Sequence, residues 1–387
     1  MKTKRRVIII VTLITLLLIV SGVTVGVISW VSSNNARPAV VQQPYAINRA
    51  EPAPLSLHRA RSMAPIQAAT AMAPWGITLD PLHGFVWVAE PGCEPLPKCL
   101  TAFPGVIGQY ALSDGSFIQN ITEPSGYSSP LFIAIDTAGN LWFTQPTSDA
   151  IGEYNPQTGA WNQWHTKKGS VPYDLLFDKQ GNLWFTEIAG NSIGFFNPHT
   201  QKLVENTVST IASNPYGITL DAKGVIWFAE NNTGLGQIGS FTPNTSGKVT
   251  IVEHQVDALH PPHLITSDRM GNIWYSEGFA GYIGEFNAAT GINASFRVYL
   301  GVCTNPSTCT GTHISGIQVD NQGNIWFTDS LSQRIGYLVP ATGRVVTITL
   351  PANVHPHDGL VIDSSSRVWF TEQNALTLNM FPTSTVK

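Results

Sequence analysis

The chain has 387 residues, enough for one large domain or two to three ordinary ones. Hydrophobic residues make up 43% and charged residues only 12%, which excludes a disordered chain. The net charge of −4 is unevenly placed: residues 1–6 carry +4, residues 7–72 carry +3 and residues 73–387 carry −11, so the body lacks the clustered Lys and Arg that nucleic-acid phosphates or anionic lipid would require.

Val7 to Trp30 is a run of 24 residues without a charge, preceded by Lys2, Lys4, Arg5 and Arg6. A helix of that length spans the ~30 Å hydrocarbon layer, and the basic flank places the N-terminus in the cytoplasm and the body outside. Residues 1–31 therefore read as a cytoplasmic stub and a signal anchor, with membrane contact through this one helix. A cleaved signal peptide is the rival reading; its apolar region is shorter, ~7–15 residues, and Ser33-Asn34-Asn35-Ala36 is a poor cleavage site. Residues 32–72, rich in Ala, Pro, Ser and Gln, read as a flexible linker.

Residues 73–387 repeat. Asp80, Asp136, Asp178, Asp221, Asp268, Asp320 and Asp363 each precede a tryptophan by six or seven residues: Trp87, Trp142, Trp184, Trp227, Trp274, Trp326 and Trp369. The tryptophans are 55, 42, 43, 47, 52 and 43 residues apart. A period of ~40–50 with strand-type alternation marks a propeller. One unit shows the pieces: Pro215–Asp221 as first strand, Asp221-Ala222-Lys223-Gly224 as a turn, Val225–Glu230 as second strand, a third from Gln237 and a fourth within Val249–Val256. The fold class expected is all-β, a seven-bladed propeller of four-stranded antiparallel blades behind one N-terminal transmembrane helix. The last unit holds only three strands, Gly359–Asp363, Val368–Thr371 and Leu376–Phe381. An open ring would leave an unpaired edge, so the missing outer strand is expected from Leu55–Ala71.

Features that recur in every blade report the fold before they report function. The tryptophans are core between blades, the Ile-Gly pairs such as Ile151-Gly152 and Ile238-Gly239 mark close backbone approach, and Glu90, Glu187, Glu230, Glu277, Asp329 and Glu372 hold a structural position three residues after the tryptophan in six of the seven blades. Function is sought in what does not repeat. The lead-in to each first strand lies at one end of the ring, the top, and both long inserts fall there. Pro91–Val106 holds Cys93 and Cys99, and Gly301–Thr312 holds Cys303 and Cys309. Outside the membrane these read as two local disulfides, with thiolate metal binding as the alternative. The top also collects His260, His263, His313, His355 and His357, while Trp75, Tyr173 and Tyr216 take the same ring position in other blades. An aromatic-lined mouth with imidazoles on one side suits a mostly apolar small molecule or peptide with a few polar anchors. No nucleic-acid partner is expected, and the protein is expected to be a monomer.

The unit P-Y-G-I-T…G-N-[LI]-W-F-T-E…I-G, repeated seven times over residues 73–381, resembles the virginiamycin B lyase (streptogramin lyase) family. That resemblance implies a seven-bladed propeller that linearises cyclic depsipeptide antibiotics by elimination. In the family a histidine takes the proton α to the ester carbonyl, a magnesium ion stabilises the enolate, and the ester oxygen departs. The family's base lies in a P-H-G motif opening the last blade. Pro356-His357-Asp358-Gly359 matches it with one extra residue, which makes His357 the implied base. The family's two magnesium-binding glutamates are replaced by His355 and Gln373. Its substrate-contacting histidine opening blade six is Ser315, with His313 two residues earlier, and its tyrosine opening blade one is Trp75.

These replacements matter chemically. Magnesium prefers carboxylate and water oxygens, whereas imidazoles at 355 and 357 suit zinc or another transition metal. Glu372 is a poor substitute, because adjacent strand side chains point to opposite faces. The implied site is His357 as catalytic base, Trp75, Tyr173, Tyr216, His263 and His313 for substrate, and His355 and Gln373 for a divalent metal. Two readings stand: a carbon–oxygen lyase acting on a cyclic ester, and a propeller that binds a ligand or protein through the same face without reacting. A sugar-lactone hydrolase would need a metal-binding Glu and Asp on the inner strands, and no such non-repeating set is present.

Overall fold

The computed structural model describes residues 58–59, 66–93, 104–232, 234, 236–256, 261–299, 311–351, 354–374 and 376–382. All belong to a compact unit, Ile47–Lys387. The expected membrane segment, most of the linker, Cys99, Cys303, Cys309 and His260 lie outside the described residues. Among the described residues no helix is long and apolar enough to cross a membrane.

Seven antiparallel sheets follow one another along the chain. Their first strands are Ile77–Asp80, Ile133–Ile135, Pro172–Phe177, Pro215–Leu220, Ile265–Ser267, Ile314–Val319 and Pro356–Ile362. First strands of neighbouring blades touch around the whole ring, including blade seven against blade one, so they line the centre. The closing strand is Ile66–Ala69. It pairs antiparallel with Thr377–Pro382, setting Ile66 opposite Met380 and Ala69 opposite Thr377. The end of the linker segment is therefore part of the propeller. A fifth strand was not foreseen: His58–Arg59 runs parallel to Arg344–Thr349 on the outer edge of blade six.

The repeated residues explain the repeated geometry. Each tryptophan packs into the next blade, as Trp184 does against Ile218, Ile226 and Phe228 and Trp369 against Val86 and Val88. The aspartates do more than make the turn. Asp221 accepts the Val225 amide at 2.9 Å through one carboxylate oxygen and the Trp227 indole N–H at 3.1 Å through the other. The same clasp joins Asp136 to Trp142, Asp178 to Trp184, Asp268 to Trp274, Asp320 to Trp326 and Asp363 to Trp369. A buried indole N–H needs such an acceptor, and the six-residue spacing supplies it. Asp80 and Trp87 are seven apart; Asp80 turns to His83 instead, 2.9 Å from its Nδ1, and Trp87 Nε1 has no partner among the described residues. The Ile-Gly glycines leave room for the ring that follows the tryptophan: a Cβ on Gly152, Gly194 or Gly239 would overlap Phe143, Phe185 or Phe228. Three of the acids after the tryptophans hold backbone. Glu90 accepts the amides of Ala71 and Met72, Asp329 that of His313, and Glu372 that of His355.

Candidate functional site

The mouth is built by a threonine that recurs two residues after the tryptophan. Thr144, Thr186, Thr328 and Thr371 each donate to the carbonyl of the ring residue in the next blade: Tyr173 at 2.5 Å, Tyr216 at 2.6 Å, His357 at 2.7 Å and Trp75 at 2.6 Å. Thr186 and Thr328 also accept an amide from their own first strand, from Asp174 and Gly316. One hydroxyl thus staples two blades and fixes where the ring side chains start.

From those anchors the rings meet in series around the channel, most of them tilted against their neighbours. Trp75 lies 4.6 Å from His357, centroid to centroid, His357 5.3 Å from His313, and His313 5.2 Å from His263. The chain of contacts continues from His263 to Tyr216 at 4.2 Å, to Tyr173 at 4.1 Å and to Phe132 at 5.2 Å. Phe132 packs on the cluster of Trp75, Leu131 and Tyr173, which completes the circle. The structure therefore brings together six of the residues singled out from sequence: Trp75, Tyr173, Tyr216, His263, His313 and His357. Phe279, which sequence reasoning passed over, stacks on His313 at 4.4 Å and is 54% exposed, so the rim carries an apolar ring open to solvent.

At the centre of the circle sits Asp358, also missed from sequence. Its side chain is fully buried, and five blades converge on it. One oxygen accepts the Trp75 indole N–H at 3.1 Å and the Tyr173 hydroxyl at 3.1 Å. The other accepts the Ser315 hydroxyl and lies 3.0 Å from His357 Nδ1 and 3.5 Å from His263 Nε2. Because Tyr173 gives its proton to Asp358, Tyr216 must donate to Tyr173 in the hydrogen bond between the two hydroxyls. Burial pushes the Asp358 pKa up, but His357 and His263 outweigh it and hold the carboxylate well below its usual range. Burial, reinforced by His263 and His357, pushes His313 down to about 3, so its ring is neutral at pH 7. Asp174, which accepts the Ile218 amide at 3.0 Å, is raised by burial to about 7.

The signal for Asp358 was the extra residue in Pro356-His357-Asp358-Gly359. In blade four Pro215 faces Glu230 and Ile218 faces Phe228, so two residues oppose one. In blade seven Pro356 faces Glu372 and Leu360 faces Phe370, so three residues oppose one. A bulge breaks the up-down alternation of a strand, which lets neighbouring side chains turn to the same side. Gly359 is required there, since a Cβ would strike the Trp75 carbonyl and Thr371.

The residues expected to hold a metal are arranged otherwise. His355 Nδ1 donates to the Ser330 carbonyl at 2.8 Å, and Gln373 Nε2 is buried without a partner among the described residues. Both oxygens of Asp358 are occupied by protein donors. Among the described residues no three His, Cys, Asp or Glu side chains converge as a metal would require. The donor set does not fit magnesium, which wants several oxygen ligands.

The family model for virginiamycin B lyases matches residues 105–299, half of the chain, and stops short of His313, His355 and His357. No curated protein matches the sequence. Among solved structures, a selenomethionine-substituted virginiamycin B lyase from Staphylococcus aureus superposes with a TM-score of 0.66 at 22% identity, covering 81% of this chain and 97% of that one. A catalytically inactive histidine-to-alanine variant of the Staphylococcus aureus lyase with quinupristin gives 0.67 at 23% identity, again over 81% and 97%. The structure of U3-55K gives 0.64 at 13% identity, over 84% and 99% of the two chains, so the shape alone carries no activity. The match of the family model over half of the sequence, on a propeller of the same seven-bladed type, makes the chain a member of the virginiamycin B lyase family.

Proposed function

We propose that this protein is a membrane-anchored, extracytoplasmic lyase-type propeller that opens a cyclic depsipeptide ester by elimination, with His357 as the general base. The observation that supports this most is the setting of His357. It is the family-motif histidine, its side chain keeps 17% exposure at the mouth, and Trp75 and His313 pack against its ring. In the proposed step, an imidazole nitrogen of His357 takes a proton from a carbon beside a carbonyl. The C–H electron pair forms a carbon–carbon double bond, and the neighbouring carbon releases its ester oxygen as a carboxylate. Tyr216 and the exposed Phe279 offer the apolar wall for the substrate, while buried Trp75, Tyr173, His263 and His313 support it from behind. The protein would act as a monomer, with Cys93–Cys99 and Cys303–Cys309 closing the two loops at the mouth. Any ion recruited beside His355 would be of transition-metal type, and the step above does not depend on one.

A second reading, a propeller that binds without reacting, is favoured by the replacement of both family carboxylates at positions 355 and 373. Quinupristin separates the two, because the related lyase has been crystallised with it. Ring opening by the wild-type chain that falls about 10²–10⁴-fold in His357→Ala supports the lyase. Turnover that survives His357→Ala removes His357 as base. Binding without turnover assigns the mouth to recognition alone.

A further inference from the structure

We propose that Asp358 is the positioning residue of this site: it fixes His357 in the tautomer that carries the proton on Nδ1, so that Nε2 is the basic nitrogen. The inference rests on the reading of His357 as base, and it adds a residue that neither the family motif nor the expected metal set contains.

Asp358 lies 3.0 Å from His357 Nδ1 as an ion-pair contact, not as an aligned hydrogen bond. A lone pair on that nitrogen would face the buried negative charge, so the proton belongs on Nδ1 and the lone pair falls to Nε2. The carboxylate cannot swing away to allow the other tautomer. Trp75 of blade one, Tyr173 of blade three and Ser315 of blade six hold it by hydrogen bonds, and His263 of blade five closes the fourth side. It cannot touch a substrate either, because its side chain has no exposure, so it acts only through His357. The three-against-one bulge of blade seven is what puts the pair on one side of the strand.

The arrangement also supplies a counter-charge. When Nε2 accepts a proton the ring becomes an imidazolium, and its new positive charge faces a carboxylate already fixed at 3.0 Å. A pocket whose metal-type carboxylates are replaced thus retains one buried anion, placed behind the base instead of beside the substrate.

The full-length chain labelled with 15N-histidine tests this without a substrate. In unconstrained neutral histidine the proton prefers Nε2, so a wild-type His357 signal of the Nδ1–H form is the expected result. His357→Ala identifies the signal. Asp358→Asn should move His357 toward the Nε2–H form and lower kcat on quinupristin about 10²–10⁴-fold, with KM moving less than about threefold. A wild-type His357 already in the Nε2–H form overturns the proposal, whether or not the variant folds. So does an Asp358→Asn protein with unchanged tautomer and kcat. If the tautomer shifts as expected but His357→Ala keeps its turnover, the coupling stands and only the reading of His357 as base fails.

Discussion

The Trp75 indole N–H reaches a carboxylate oxygen of Asp358 across 3.1 Å although 283 residues separate the two in sequence. The bond ties the first blade to the last on the inside of the ring, as Ile66–Ala69 ties them on the outside. The ring is thus closed by a backbone ladder at the rim and, at the channel, by this bond together with the Thr371 hydroxyl on the Trp75 carbonyl.

Trp75→Phe separates ring closure from ring filling. Phenylalanine keeps most of the apolar volume and removes the N–H, leaving Asp358 with one donor fewer. A hydrogen bond to a charged group contributes about 1.5–3 kcal/mol, and urea unfolding should show a loss of that size. A loss near zero would mean that Tyr173, Ser315 and the imidazoles satisfy the carboxylate without the indole.

Truncation tests the outer closure. A chain starting at residue 58 keeps both added strands, whereas one starting at residue 73 loses them. The shorter chain also strips Glu90 of the Ala71 and Met72 amides it accepts at 2.8 and 2.9 Å. It should melt at least roughly 6–10 °C lower, corresponding to about 3 kcal/mol, and should self-associate through the bare edge of Thr377–Pro382. Equal melting temperatures and a monomeric elution for both chains would show that the closing strand adds nothing.

Stability should fall as pH rises from mildly acidic to mildly alkaline. Burial raises Glu90, Glu123 and Glu187 to about 7 and Glu230 to about 8. Between the unfolded carboxyl value near 4.3 and those folded values, the native state holds more protons than the unfolded state. Each acid therefore removes up to roughly 1.4 kcal/mol per pH unit across that window. Asp358 has the opposite sign: its depressed folded value contributes stability above the unfolded aspartate value near 3.9 and loses it as pH falls toward the folded one. The urea midpoint should accordingly be higher at pH 5 than at pH 8, and Glu230→Gln should flatten the difference. A midpoint that rises toward pH 8 contradicts this.

The ring and its seven blades were legible because they repeat. Constant Asp-to-Trp spacing marks a clasp even before the indole bond is seen, and the one deviant pair, Asp80 and Trp87, is the one that fails to form it. The closing strand was legible as a missing partner, and its bounds were not, since four residues of Ile66–Ala69 carry no strong pattern. Of the site, the aromatic and imidazole ring could be read because Trp75, Tyr173, Tyr216 and His263 share one position after a proline. Asp358 could not be read that way. In sequence it is slack in a motif, and its meaning comes from partners in five blades that only the closed ring assembles. Phe279 was hidden for a different reason: an exposed ring on a loop has no periodicity to betray it.

His355 presents an imidazole whose Nδ1 is committed to the Ser330 carbonyl at 2.8 Å, and its amide binds Glu372 at 2.8 Å. Gln373 offers an amide in place of a carboxylate, with Nε2 buried and unpartnered among the described residues. Neither residue supplies an anionic oxygen, so magnesium should bind the wild-type mouth weakly and leave its activity unchanged. The double variant His355→Glu, Gln373→Glu places two carboxylates at the positions where the family resemblance puts them. Calorimetry with magnesium should then show a binding heat absent from the wild type, and quinupristin opening should become magnesium-dependent. The pairing of Pro356 with Glu372 keeps positions 355 and 373 at the same end of the two strands, with the three-against-one bulge lying beyond that pair. A double variant that binds no more magnesium than the wild type would show that two carboxylates at these positions do not suffice to hold the ion.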